Sequence, residues 1–596
     1  MFQSFEVTAR PEQGPPRIAA LRAQLTKENL DGFLVPRADA YQGEYVSVRD
    51  ERLSWLTGFT GSAGFCAALS DVAGLFIDGR YRTQVKAQTA DVYTPVPWPE
   101  VSLADWLIEQ LPNGGRVGFD AWLHTPGQIS QAETLLYGTG ITLVQSDNLV
   151  DRIWEDQPPP AAAPAKVHPI EFAGESHIDK CARLGQSLTQ MGAASAVITL
   201  PDSLCWLLNI RGADIPRNPI AQGFAVLHAD GTVDLFMDKV KLAEVRDHLG
   251  TAITCHDPVT FLDMLERLPG SVLLDKSSVP VRVADVIDNK VQWGDDPCAQ
   301  PKACKNAAEI SGSAKAHLRD GAAVVELLAW LDNQPAGSLT ETQAVTKLET
   351  LRRRDNALQD ISFETIAGTG PNGAIMHYRV TTETDSPLQD GQLIVLDSGG
   401  QYIDGTTDIT RTIAIGDPPE EACAAFTRVL MGMIAMSRLR WPKGLAGRDI
   451  EAIGRAPLWY AHQDFDHGLG HGVGAYLSVH EGPQRLSRVS TVPIQAGMIL
   501  SNEPGYYREG AFGIRLENLI VAETATTPQG GDEHRNMLRW RTLTFAPIDR
   551  RLIISDMLDK PTRLWLNSYH AETLDKIGPR VSPDTRLWLE QATAPL

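Results

Sequence analysis

The sequence predicts an α/β (α+β) chain made of two related N-terminal α/β domains and a larger third domain with a C-terminal extension. Three observations carry that reading. A strand, turn, strand, helix order occurs twice at a spacing of about 150 to 160 residues, proline-rich stretches separate the parts, and long helical periodicity begins at Ala307. With 596 residues, 43% hydrophobic and 21% charged, the composition is that of ordinary globular protein, and the length suits three or four domains. The expected boundaries are 1–160, 161–304 and 305–596, the last including an extension over 537–596.

In the first domain, Gly64 to Leu69 (GFCAAL) reads as an apolar strand, Asp71 to Gly74 as a turn, Leu75 to Asp78 as a second strand, and Tyr81 onward as helix. The second domain repeats this with Gly223 to Leu227, the Asp230-Gly231 turn, Val233 to Asp238 and a helix from Lys241 to His248. Gln157 to Pro169 and Gly294 to Asn306 read as linkers, because proline disfavours helix interiors and central strands. The third domain opens with Ile310, Ala314, His317, Leu318, Ala322, Val325, Leu328 and Ala329 at helical spacing. It closes near the polar stretch Glu523 to Asn536, beyond which Trp540, Phe545, Trp565 and Trp588 mark an ordered tail.

Charge and cysteine usage narrow the function. Lys plus Arg number 54 against 74 Asp plus Glu, a net charge of -20 that argues against nucleic acid or anionic membrane partners. Seven dispersed cysteines without CxxC spacing argue against a disulfide framework or a thiolate zinc site, and for a reducing, cytoplasmic compartment. The longest apolar run, Ala322 to Leu331, is about half the roughly 20 residues a membrane span needs.

The chemistry concentrates in the third domain. Leu393 to Gly399 and Tyr402 to Ile413 read as a hairpin whose turn, centred near Tyr402 and Ile403, sets Asp397 opposite Asp408. Asp404, before Gly405, reads as a turn residue. About a hundred residues later, Met498 to Gly505 and Phe512 to Ile520 repeat the pattern, and a loop near Gly510 folds Glu503 back towards Glu517. Between the hairpins lies His467-Gly468-Leu469-Gly470-His471-Gly472-Val473-Gly474, which taken alone is equally a glycine-rich loop with solvated histidines. Facing carboxylates repel unless a cation joins them. Four carboxylates and one imidazole form a hard donor set that suits two divalent ions such as Mn²⁺, and such a centre lowers the pKa of water from 15.7 towards about 7, which points to hydrolysis.

These residues resemble the pita-bread metallopeptidases of family M24, and among them the three-domain aminopeptidase P type. The resemblance rests on Gly368 to Tyr378, Leu396 to Thr412, His467 to Gly474, Val479 to Pro483, Asn502 to Tyr507 and Gly513 to Asn518. In the first two domains it rests on Arg49 to Gly64 and Leu208 to Pro219. It implies a pita-bread catalytic domain in which Asp397, Asp408, His471, Glu503 and Glu517 hold two metal ions, with Asp408 and Glu517 bridging. It implies that His377, His467 and His480 engage substrate, that Glu503 is the general base, and that His480 supports the oxyanion. Arg515 is expected to hold a ligand carboxylate, or else to form only a buried ion pair of the fold. His467 and Tyr506 are expected to shape an apolar pocket for a proline ring.

The function so implied is hydrolysis of the N-terminal Xaa-Pro bond of peptides. Its rivals are a prolidase restricted to Xaa-Pro dipeptides and a catalytically dead pita-bread module that binds peptides or proteins. A homodimer is expected, with Arg539 to Pro547 interleaving Trp and Phe with Arg as interfaces do.

Overall fold

A computed structural model describes residues 1–596. The chain divides into two compact units, Thr8–Gln300 and Pro301–Leu596, and Met1–Val7 joins the second of them. The N-terminal strand-free segment is tied there by the Phe2 amide donating to Glu349 Oε1 (2.8 Å) and the Thr365 amide donating to Gln3 Oε1 (2.8 Å).

The first unit contains the repeat. One six-stranded sheet runs in the order Thr94–Pro97, Ala73–Ile77, Phe65–Leu69, Gly32–Pro36, Gly115–Phe119, Ile141–Gln145. The other runs Ile253–His256, Val233–Phe236, Phe224–His228, Ser195–Ile198, Val272–Leu274, Val291–Trp293. The parallel and antiparallel pairings agree strand for strand between the two sheets. The expected helix from Lys241 to His248 shortens to Arg246–Leu249. Its first turn is lost because the Lys241 ammonium donates to Asp214 Oδ2 (2.7 Å) and the Gln222 carbonyl (3.1 Å), which holds this stretch as a run of turns.

In the second unit the expected helix spans Ala307–Asp332, started by a capping box between Asn306 and Glu309. A three-stranded antiparallel sheet, Ile366–Thr369, Gln392–Ser398 and Ile409–Ile415, supplies the first carboxylate hairpin. A six-stranded sheet supplies the second, in the order Arg440–Pro442, Met537–Thr542, Asn518–Thr524, Ile499–Asn502, Gly470–Gly472, Glu481–Leu486. The main apolar core of this unit draws on both sheets and on the Glu420–Ser437 helix. No helix is long and apolar enough to cross a membrane.

Two expectations change. Gly294 to Asn306 is more than a linker, since it contains the helix Ala299–Ala303 and buries Lys302 and Lys305 against the equally buried Glu481. The tail aromatics are not an exposed interface. Trp540 and Phe545 are buried in the unit's own core, Trp540 against Trp441 with ring centroids 4.3 Å apart. The alternation of Met537–Thr542 explains this, because Leu538 and Trp540 face inward while Arg539 and Arg541 reach out to Glu523.

Truncation after Asn536 therefore removes a strand paired on both sides, together with Phe545, Ile548, Leu552, Leu566, Tyr569 and Ile577 from the core. At about 1.5–3 kcal/mol per buried large apolar side chain, that loss is as large as a net stability of about 5–15 kcal/mol. We predict that the truncated chain loses the second unit's share of the calorimetric unfolding enthalpy while the first unit, which contains none of these residues, still unfolds cooperatively. An unfolding enthalpy equal to that of the full-length chain would contradict this burial.

Candidate metal centre

The two hairpins place their carboxylates differently. In the second, pairing runs from Tyr507↔Gly513 through Gly505↔Arg515 to Asn502↔Asn518, so Glu503 and Glu517 sit opposite each other as expected. In the first, Asp397 pairs with Thr410 rather than Asp408. The ladder breaks after Ser398↔Ile409 and resumes in the same register at the tip, Gly400–Tyr402 against Gly405–Thr406, with its turn at Ile403-Asp404. Asp408 lies at that break, two residues off the expected position opposite Asp397, and Asp404 occupies the turn.

Asp408, His471 and Glu517 nevertheless converge, with one ligand atom of each within 4.8 Å of the others. His471 Nε2 lies 3.5 Å from both Asp408 Oδ2 and Glu503 Oε1. Its Nδ1 is 3.0 Å from the Gly472 carbonyl, which fixes the ring with Nε2 turned towards the carboxylates. Ser501 donates to Glu503 Oε1 (3.1 Å), and Thr410 donates to Glu517 Oε2 (2.9 Å). Arg515 donates through Nη2 and Nε to Asp397 Oδ2 (2.6 and 3.2 Å) and through Nη1 to the Tyr507 hydroxyl (2.6 Å).

The donor set fits divalent cations on the structure's own terms. Asp397 Oδ1, Asp408 Oδ1 and Glu517 Oε1 are buried without a hydrogen-bonding partner, a costly state for charged oxygens. Burial first, then the neighbouring carboxylates, pushes Asp408 and Glu517 well above the usual carboxylate range. Burial opposes the charge on Arg515, but Tyr507, Asp397 and Glu503 together keep it firmly protonated.

The remaining expected residues fall around this cluster. The His480 ring stands edge-on to His471, centroids 4.1 Å apart. His467 Nδ1 faces the Gly468 carbonyl (2.7 Å) and Nε2 faces the Tyr507 hydroxyl (2.9 Å), with Phe465 alongside at 4.6 Å. His377 is on the loop after the Gly370–Ala374 turn. That turn seats on the Phe512–Arg515 strand where Gly513 leaves room, since a Cβ there would lie 1.7 Å from the Gly373 carbonyl oxygen. Tyr506 does not face His467. It lies towards Phe512, and Tyr507 takes the place beside His467 and Arg515. Strand parity could have found it, because Glu503, Gly505 and Tyr507 share one face with Arg515 and Glu517.

The chain matches the profile of metallopeptidase family M24 over residues 311–524, the creatinase/prolidase N-terminal domain over 17–153 and again over 156–309, and the C-terminal region of that peptidase over 536–596. It is 37% identical over 624 residues to a probable Xaa-Pro aminopeptidase P of Coccidioides posadasii, covering 99% of this chain and 95% of that one. The corresponding Aspergillus niger protein is 37% identical over 612 residues, covering 97% and 98%. The crystal structure of an X-prolyl aminopeptidase from Caenorhabditis elegans, described as a cytosolic enzyme with a di-nuclear active site, superposes with a TM-score of 0.94 at 31% identity, covering 98% of this chain and all of that one. A Pyrococcus horikoshii prolidase, at 23% identity and a TM-score of 0.50 over 62% of this chain, shares the fold.

Electrostatic crowding yields a prediction of opposite signs. An acid whose folded pKa is raised costs stability as pH rises from its unfolded value towards its folded one. Metal-stripped Asp408→Asn should therefore melt at least about 2 °C above metal-stripped wild type at pH 8, with the difference vanishing near pH 4. With Mn²⁺ added, the order should reverse. Equal melting temperatures at pH 8 in both conditions would show that these carboxylates are not under mutual strain.

Proposed function

The chain belongs to metallopeptidase family M24, among the Xaa-Pro aminopeptidases P, and we propose from its site that it removes the N-terminal residue of peptides whose second residue is proline. The observation that carries this reading is the convergence of Asp408, His471 and Glu517 with unpartnered buried oxygens, in a chain that matches the nematode aminopeptidase over its whole length.

Asp397, Asp408, His471, Glu503 and Glu517 would hold two divalent ions, with Mn²⁺ favoured by the hardness of four carboxylates and one imidazole. Such ions supply a Lewis acid for the scissile carbonyl and water of lowered pKa. The chain's own side chains do the rest. Glu503, oriented by Ser501, accepts the proton of the attacking water and passes it to the proline nitrogen, which leaves as a neutral amine. His480 donates to the carbonyl oxygen as charge develops there, and His377 holds the peptide across the scissile bond. His467 and Phe465 offer the flat wall a proline ring needs, with the imidazole fixed by Gly468 and Tyr507. Arg515 keeps Asp397 aligned.

Coverage favours the aminopeptidase over a prolidase, and the complete donor set argues against a dead binding module. We divide the chain at 1–160, 161–304 and 305–596, with Met1–Val7 packing on the third part. Seven unpaired cysteines support a cytoplasmic setting. The homodimer is kept with a different interface. Trp459 (40% exposed), Tyr460 (88%) and Val489 (80%) are exposed, with the Arg488 guanidinium 5.6 Å from the Trp459 ring centroid, the aromatic and arginine composition that interfaces favour.

Glu503→Gln should lower kcat on an Xaa-Pro-Pro tripeptide by about 10²- to 10⁴-fold or more. A loss of less than about tenfold would remove Glu503 from the role of base. Wild type should cleave that tripeptide and longer peptides, and cleavage of the Xaa-Pro dipeptide alone would favour the prolidase. For assembly, light scattering should find a dimer that becomes a monomer in the doubly substituted Tyr460→Glu, Val489→Glu chain. A wild-type monomer at micromolar concentration would contradict the dimer.

A further inference from the structure

The break in the first hairpin poses a positioning problem. Asp408 lies outside the regular ladder, one residue before Ile409, yet it must meet His471 and Glu517. Regular pairing does not place it there. What surrounds the break is a buried ion pair that touches neither Asp397 nor Asp408 directly.

Asp320, wholly buried on the Ala307–Asp332 helix, receives two donors from Arg352 at the end of the Glu341–Arg352 helix, Nε to Oδ1 at 2.6 Å and Nη2 to Oδ2 at 3.0 Å. Both ions keep hydrogen-bonding capacity beyond each other, and both spend it on the hairpin. Arg352 donates to Ser398 Oγ (3.0 Å) and to the Gly399 carbonyl (3.3 Å), the two residues that follow Asp397. Asp320 accepts from Thr407 Oγ1 (2.9 Å), the residue before Asp408, and from the Tyr402 hydroxyl (2.8 Å). The two legs touch at this level, because a Cβ on Gly399 would lie 1.9 Å from the Thr407 carbonyl oxygen. Farther out, Arg319 pairs with Asp404 and holds the hairpin tip to the same helix.

We propose that Asp320 and Arg352 are positioning residues that hold Asp397 and Asp408 in coordinating geometry, a role that rests on reading those two carboxylates as metal ligands. A buried ion pair is weak as a source of stability, since desolvation offsets most of its attraction. A bidentate guanidinium and carboxylate pair is strong as a source of geometry. Carboxylates that repel before a cation arrives would otherwise swing the unpaired segment apart. The pair grips the chain one residue beyond Asp397 and one residue before Asp408, and so fixes the backbone direction of both.

The test is a calorimetric titration of the chelator-stripped full chain with Mn²⁺, alongside thermal melting and steady-state kinetics. Thr407→Val deletes the hydroxyl that donates to Asp320 and accepts from the Gly400 amide, and Asp320→Asn, which leaves the Gly400 bond intact, weakens the ion pair itself. Thr407→Val should lose about 10- to 100-fold in Mn²⁺ affinity. Its kcat at limiting Mn²⁺ should fall in step while KM for the peptide stays within about twofold, the pattern of an interaction that does not bind substrate. Thr407→Ser, which keeps the hydroxyl, should restore wild-type affinity. Folded Thr407→Val with wild-type Mn²⁺ affinity would overturn the proposal, even if Asp320→Asn failed to fold. An affinity loss that Thr407→Ser does not repair would do the same, because packing rather than the hydroxyl would then be responsible. A wild-type chain that binds no Mn²⁺ would overturn the metal reading and this role together, whereas normal wild-type binding with unaltered variants would overturn this role alone.

Discussion

Like charge gathered where water cannot screen it is the constraint on which the second unit is organised. Four carboxylates and an imidazole are brought together where two of the acids, Asp408 and Glu517, are almost fully buried and carry oxygens without a hydrogen-bond donor. A fold that only needed stability would place apolar side chains there, since uncompensated buried charge is among the most costly features a core can contain. The arrangement makes physical sense with cations in place, and every neighbouring feature can be read as holding the acids ready for them. Arg515 supplies one fixed positive charge to Asp397 and none to Asp408 or Glu517 by direct contact, so those two remain available.

The same constraint explains how distant parts of the chain are recruited. Arg411 is buried and donates to the carbonyls of Thr410 and Glu517, to Asn518 Oδ1, to the Ala546 and Pro547 carbonyls, and to the Tyr569 hydroxyl. One guanidinium thus ties the strand behind Asp408, the strand bearing Glu517 and the C-terminal extension into a single body. The extension is part of the catalytic scaffold, which is why its aromatics are internal. The upstream helices act on the other side, through Asp320 and Arg352, on the hairpin of Asp397 and Asp408.

Much of this was legible in the sequence where geometry is local. Glu503 faces Glu517 because one register, Tyr507↔Gly513 to Asn502↔Asn518, runs back from a turn at Gly510, whose φ of 73° suits glycine, and counting residues from that turn gives it. The repeated N-terminal sheets are legible because each contains the same antiparallel pair of short strands, Phe65–Leu69 with Ala73–Ile77 and Phe224–His228 with Val233–Phe236. Asp397 and Asp408 stand two residues out of the expected register because their hairpin turns at Ile403-Asp404, one position later than Tyr402-Ile403, and a one-residue shift of a turn moves every cross-strand partner by two. Tyr507 was passed over for Tyr506, although alternation along Gly505–Arg508 puts the odd-numbered side chains on the face of Arg515. Trp540 and Phe545 were read as surface because composition alone does not tell an interface from an inward-facing strand.

Metal content bears most directly on the central claim that these five side chains exist to hold two cations. Inductively coupled plasma mass spectrometry on the purified full-length chain should find two divalent ions per chain. Both should be lost together with Xaa-Pro cleavage on chelation, and both should return with activity when Mn²⁺ is restored. Full peptidase activity in a chain shown to carry one ion or none would contradict the account.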